Sequence, residues 1–221
     1  ALSDCQQALK LDPRSSNGYN VRGMLREAQG DLARALADFT RAIQLDPLNP
    51  DPLVNRSAIH YRRGEYDSII NDTTKALELN PKIAEAYANR SNARRVKGDL
   101  ARALADSNRA LELAPGKSEN WSNRGAIYFL QGELAGAVSD YTTAISLNSR
   151  FAEAWSDRGA ARVRMRDLTN ALSDFNQALA INPDLAQAWF NLATLHFDND
   201  DNDKAITSCN RVITLDHHFA Q

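Results

Sequence analysis

Large apolar side chains return along the chain every 34 residues, at Tyr19, Leu53, Tyr87, Trp121, Trp155 and Trp189. A second large series trails it at Leu45, Leu79, Leu113, Leu147, Ile181 and Leu215. Small residues keep the same interval. One row reads Gly23, Ser57, Ser91, Gly125, Gly159, Ala193; two more are nearly all Ala, at Ala35, Ala103, Ala137, Ala171, Ala205 and at Ala42, Ala76, Ala110, Ala144, Ala178. Small side chains at a fixed phase let helices approach; large ones fill the space beside them. With position 1 set at Ser118, the repeats run 16–49, 50–83, 84–117, 118–151, 152–185 and 186–219. Each holds two helical patterns around a turn. The turn carries Gly30, Gly64, Gly98 and Gly132, then Arg166 and Asp200, and an acid follows in every copy. Gly there suits a left-handed helix stop, and the acid suits the cap and dipole of the second helix. Pro47, Pro81, Pro115 and Pro183 end that helix, with Ser149 and His217 in their place elsewhere. A fixed period built this way predicts stacked helix pairs in a quasi-one-dimensional array.

The clearest stretch is Trp121-Ser122-Asn123-Arg124-Gly125. Its copies include Trp155-Ser156-Asp157-Arg158-Gly159, Tyr87-Ala88-Asn89-Arg90-Ser91 and Trp189-Phe190-Asn191-Leu192-Ala193. These positions resemble the tetratricopeptide repeat family, whose pattern over 34 residues is Trp or Tyr, Leu-Gly, an aromatic, Ala, an aromatic, Ala and Pro. One departure is systematic. Position 7, Leu in the family, is Arg22, Arg56, Arg90, Arg124 and Arg158 here. The resemblance implies an all-α fold, a right-handed superhelical solenoid of antiparallel helix pairs. First helices would line its concave face and second helices its convex one. Residues 1–15 match the second helix of a truncated repeat, and 220–221 the start of a further one. The chain is therefore expected to be an excerpt of a longer array, or to have its ends covered by another copy.

Composition narrows the partners. A net charge of −2 gives no drive towards nucleic acid or anionic membrane. No apolar run approaches the length of a membrane span, so no membrane insertion is expected. Cys5 and Cys209 share a phase six repeats apart, too far for a disulfide, and a cytoplasmic setting is expected. Arginines number 20 against 6 lysines. Arg suits cations held in fixed geometry, so some are expected to be structural.

Each position-7 Arg has an Asp sixteen residues later: Asp38, Asp72, Asp106, Asp140 and Asp174. The sixth repeat changes both together, to Leu192 and Ser208. That joint loss predicts a buried ion pair between the two helices of a repeat. Position 6 carries Asn55, Asn89, Asn123, Asp157 and Asn191, with Val21 breaking the row. About 100° round the helix from position 7, this row is expected to turn towards the concave face. An Asn offers one acceptor and two donors, enough to hold a peptide backbone without reading its side chains. The resemblance points the same way, since Asn at this position is the family's usual peptide contact. A similar ladder lines the repeat arm of O-linked N-acetylglucosamine transferase. The alternative is that these Asn merely solvate the helix.

Acids at position 2 (Asp51, Glu85, Glu119, Glu153) and bases near the end of the first helix (Arg62, Arg63, Arg94, Arg95, Lys97, Arg162, Arg164, Arg166) complement the helix dipoles or polarise the groove. Tyr61, Phe129, Phe190 and Phe197 are candidate floor contacts or core. The family's carboxylate clamp, basic at positions 2 and 6, is absent. His60 and His196 stand four repeats apart; His217 and His218 are neighbours that do not share a face. No phosphate loop, nucleophile–base pattern or clustered metal ligands occur, so no catalytic residue, metal or cofactor is expected. Two glycosylation patterns, Asn55-Arg56-Ser57 and Asn71-Asp72-Thr73, fall inside predicted helices. The expected function is a non-catalytic scaffold for protein–protein interaction, with an extended peptide in the concave groove. The alternatives are the substrate-recognition arm of a larger, glycosyltransferase-like enzyme and a self-assembly module giving a homo-oligomer through its ends.

Overall fold

A computed structural model describes residues 1–215; the expectations for His217, His218 and residues 219–221 lie outside them. The helices gather into two compact units, Ala1–Ala114 and Pro115–Gln221. The first holds α1 (Leu2–Leu11), α2 (Ser16–Ala28), α3 (Leu32–Leu45), α4 (Asp51–Arg62), α5 (Tyr66–Leu79), α6 (Ala84–Val96) and α7 (Leu100–Leu113). The second holds α8 (Ser118–Gln131), α9 (Leu134–Leu147), α10 (Ala152–Arg164), α11 (Leu168–Ile181), α12 (Ala186–Asp198) and α13 (Asn202–Leu215). Every described element is α-helical, and each unit is a run of antiparallel helix pairs, the architecture of an α-solenoid.

The turn between paired helices is the same in all six repeats. Gly30, Gly64, Gly98 and Gly132 take φ between +70° and +82°; Arg166 and Asp200 are forced into the same left-handed region at +64° and +60°. For these last two the Cβ makes that conformation costly, by roughly 1–2 kcal/mol. Asp31 and Asp99 cap the following helix, each accepting from the backbone N–H three residues on. Trp121, Trp155 and Trp189 pin the preceding loop by donating from Nε1 to the carbonyls of Pro115, Ser149 and Pro183.

The small rows are buried where predicted: Ala35, Ala103, Ala137 and Ala171 are fully enclosed, as are Ala42, Ala76, Ala144 and Ala178. The glycines at position 8 have a cause that single columns hide. An added Cβ at Gly23 would stand 2.6 Å from the Phe39 ring; at Gly159 it would stand 2.6 Å from Phe175, and at Gly125 3.0 Å from Tyr141. Where position 24 shrinks to Thr73 or Ser107, position 8 grows to Ser57 or Ser91, all four buried. The two positions share one volume at the crossing of paired helices, and interiors packed like crystals tolerate no surplus there.

Within each unit the first helices approach one another, α2 to α4 to α6 and α8 to α10 to α12, whereas the second helices keep further apart. The first-helix side is therefore the inner face of each unit.

Candidate functional site

Two rows of polar side chains run along the first helices, and the structure separates their roles. At position 7 the guanidinium lies inside the repeat. Arg22, Arg56, Arg90, Arg124 and Arg158 each give Nε and Nη2 to both oxygens of the Asp sixteen residues later, at 2.7–3.0 Å. The Asp carboxylates are 2–6% exposed, so the pair is buried. Its hydrogen bond to Asp38 or Asp140 pushes Arg22 or Arg124 above the ordinary guanidinium value. An aromatic at position 4 covers the cation: Tyr19, Tyr87, Trp121 and Trp155 lie 4.7–5.6 Å from the guanidinium carbon.

Two further partners were not legible as a pattern. Arg56, Arg90 and Arg158 send Nη1 back to Thr40, Thr74 and Thr142 of the preceding repeat. Arg26, Arg94 and Arg162, one turn after position 7, add a third bond to Asp38, Asp106 and Asp174 at 2.6 Å. His60 takes that place in the second repeat, with Nε2 3.6 Å from Asp72 and Nδ1 2.5 Å from Glu65.

These contacts correct the reading of a basic rim. Arg94 and Arg162 are inside the repeat. Arg62 pairs with Glu27, Arg63 with Glu65 and Lys97 with Asp67, while Arg164 lies over Phe129 and donates to its carbonyl. Most of the row is spent on internal contacts, because the last turn of each first helix meets acids from the neighbouring elements.

The position-6 residues Asn55, Asn89, Asn123, Asp157 and Asn191 are all half-buried on the first helices, and Val21 is exposed. Three of them also stitch successive first helices. Asn55 donates from Nδ2 to Asn20 Oδ1 at 2.9 Å, Asn89 to Ser57 Oγ at 3.1 Å, and Asn191 to Ser156 Oγ at 3.3 Å. Asn191 also accepts from Gln187. One such bond uses one of the two N–H groups of an amide, and Asn55 and Asn89 keep Oδ1 as well.

The expected floor residues divide. Tyr61 stands edge-on to Tyr66, and Phe129 is held under Arg164. Phe190 and Phe197, 51% and 66% exposed, line an apolar groove between α12 and α13 with Ala193, Ala205, Ile206 and Cys209. Asn55 and Asn71, the two glycosylation-pattern residues, are mid-helix in α4 and α5. Among the described residues no group of three His, Cys, Asp or Glu could hold a metal ion, and no helix is long and apolar enough to cross a membrane.

Comparison with known proteins follows this geometry. Tetratricopeptide repeat models match residues 16–49, 125–165 and 156–216, together more than half of the chain. No curated protein matches it. A subunit of the APC/C hetero-tetramer Cut9–Hcn1 superposes with a TM-score of 0.88 at 16% identity, over 97% of this chain. The chain spans 42% of the length of that subunit. A tetratricopeptide repeat protein from Parabacteroides merdae gives 0.78 at 18% identity, over 97% of this chain and 85% of that one. YrrB, described as a TPR protein with an unusual peptide-binding site, gives 0.66 at 20% identity, over 85% and 97%. At these identities the likeness is one of fold.

Proposed function

The chain belongs to the tetratricopeptide repeat family, a family of protein-interaction scaffolds, and on that premise we propose that it binds an extended peptide segment of a partner protein along the inner face of the first helices within each unit. The position-6 residues Asn55, Asn89, Asn123, Asp157 and Asn191 are the contacts. The observation that carries this reading is their placement. They recur at one phase, half-buried on the inner face, and Asn55 and Asn89 hold amide donors and acceptors in reserve beyond their inter-repeat bonds. A bond between repeats fixes the amide in place, so less side-chain entropy is lost when a peptide binds. YrrB, the fold relative with a peptide-binding site, supports the same use of this architecture. The work is recognition rather than chemistry.

The test is a display library of random dodecapeptides selected on the full chain. Peptides so enriched are re-measured on Asn55→Ala/Asn89→Ala and on Asn123→Ala/Asn191→Ala. Two lost hydrogen bonds at about 1 kcal/mol each correspond to about thirty-fold weaker binding. Melting curves accompany each variant, because Asn89 and Asn191 also bond to Ser57 and Ser156. Peptides that bind both double variants as tightly as the parent chain would refute the reading.

A further inference from the structure

Nine of the twenty arginines are buried or half-buried: Arg22, Arg26, Arg56, Arg90, Arg94, Arg95, Arg124, Arg158 and Arg162. Eight of them are bonded to an aspartate of their own repeat. Arg95 is the ninth. No hydrogen bond or ion pair within the described residues reaches it, and its Nε is enclosed without an acceptor. Enclosing an N–H of a cation without an acceptor is costly, and proteins otherwise satisfy such groups. This chain follows that rule at every comparable arginine but one.

The position of the exception is informative. Asn89, Asn92 and Arg95 follow one another at three-residue spacing on α6, and all three are half-buried. Each three-residue step turns about 60° round the helix, so Asn92 bridges Asn89 and Arg95, which stand about 120° apart. Asn89 belongs to the proposed peptide row, and Arg95 lies about 9 Å further along the helix axis. The only acid of the same helix, Glu85, lies about 15 Å from it at the other end. Arg94, its neighbour, is committed to Asp106 on a different face. Complementing the dipole at the helix end does not require burial, since exposed bases such as Arg62 serve that role in water.

We propose that Arg95 is a specificity-determining residue of the first unit, and that it receives the carboxylate of an Asp or Glu in the bound peptide. This rests on the Asn-row reading: with the peptide backbone at Asn89, an acidic side chain directed along α6 meets a guanidinium whose planar fork matches a carboxylate. The carboxylate supplies a counter-charge that no described residue gives. The bound segment is therefore an acidic one, with at least one Asp or Glu in a fixed register to the residue held by Asn89.

The experiment selects the same random dodecapeptide library on the full chain, on Arg95→Gln and on Asn55→Ala/Asn89→Ala. The pool from the parent chain is expected to be enriched in Asp or Glu at one register. Its binding should fall at least ten-fold on Arg95→Gln, recover in part on Arg95→Lys and weaken with added salt. Arg95→Gln should melt no lower than the parent chain, because the replaced guanidinium has no partner among the described residues; a markedly lower melting point would assign Arg95 a structural role and overturn the proposal. A pool without acid enrichment, or one indifferent to Arg95→Gln, overturns the acidic preference while the Asn row stands, provided Asn55→Ala/Asn89→Ala still weakens it. A pool that ignores the Asn substitutions, or a selection that enriches nothing, overturns the Asn-row reading and this proposal with it.

Discussion

The second repeat allows the buried ion pair to be taken apart against a template that the chain itself supplies. Arg56 and Asp72 exchange two bonds of 2.7 Å, with side chains 19% and 6% exposed. The sixth repeat carries Leu192 and Ser208 at these two positions, with His196 matching His60. Asp72→Ser strands a largely buried guanidinium with Thr40 as its remaining partner. Breaking such a pair costs roughly 3–5 kcal/mol. The lower end applies, because Arg56 keeps about a fifth of its side chain in water. For a chain of this size about 3 kcal/mol corresponds to a melting shift of roughly 6–12 °C. Arg56→Leu strands Asp72 instead, with only His60 nearby, and should cost a similar amount. The double change installs the Leu–Ser pair and should lie within about 1 kcal/mol of the parent chain, since an apolar replacement of a buried pair is near neutral. The measurement is urea unfolding followed by circular dichroism, with hydrogen exchange on the amides of α4 and α5 to localise the effect. An unfolding midpoint for Asp72→Ser equal to the parent's, or a double variant as unstable as the sum of the two singles, would refute the account.

Arg166→Gly removes a Cβ from a residue at φ +64° and should stabilise the α10–α11 turn by about 0.5–1 kcal/mol in thermal melts. Gly159→Ser places a Cβ against the Phe175 ring and should destabilise by about 1–3 kcal/mol. Adding Phe175→Thr, which recreates the Ser57–Thr73 pairing, should recover part of that loss in a double-mutant cycle. Thr74→Val deletes the acceptor of Arg90 Nη1 and should cost about 1 kcal/mol, read as a lower urea midpoint with an unchanged slope.

The fold was legible because the period is unbroken and the residues at its fixed phases are of one kind. The ion pair was legible for a subtler reason: the sixth repeat loses Arg and Asp together, which only a mutual contact explains. The third arm of the network was hidden because its row alternates, Arg26, His60, Arg94, Tyr128, Arg162, His196, and reads as unrelated choices. Arg94 and Arg95 look alike as neighbours in the sequence, yet about 100° of helix rotation sends one into the repeat and leaves the other with no partner among the described residues. The inter-repeat bonds of the Asn row were hidden too. Their acceptors sit at two different positions, Asn20 and Ser156 at one and Ser57 at another.

The trade of volume between position 8 and position 24 has a consequence for how such a chain can be lengthened or shuffled. Gly23 and Phe39, or Ser57 and Thr73, are compatible only with their own mates, and both members lie within one 34-residue unit. A recombination joint placed between the two positions would set a Ser under a phenyl ring, or leave a hollow beneath a Thr. A joint in the loop before a first helix inherits whole matched pairs. One contact that crosses such a joint, from the position-7 guanidinium to position 25 of the repeat before, meets Thr40, Thr74 or Thr142, each able to accept it. Duplication in steps of one whole repeat is therefore the editing move this architecture absorbs most easily.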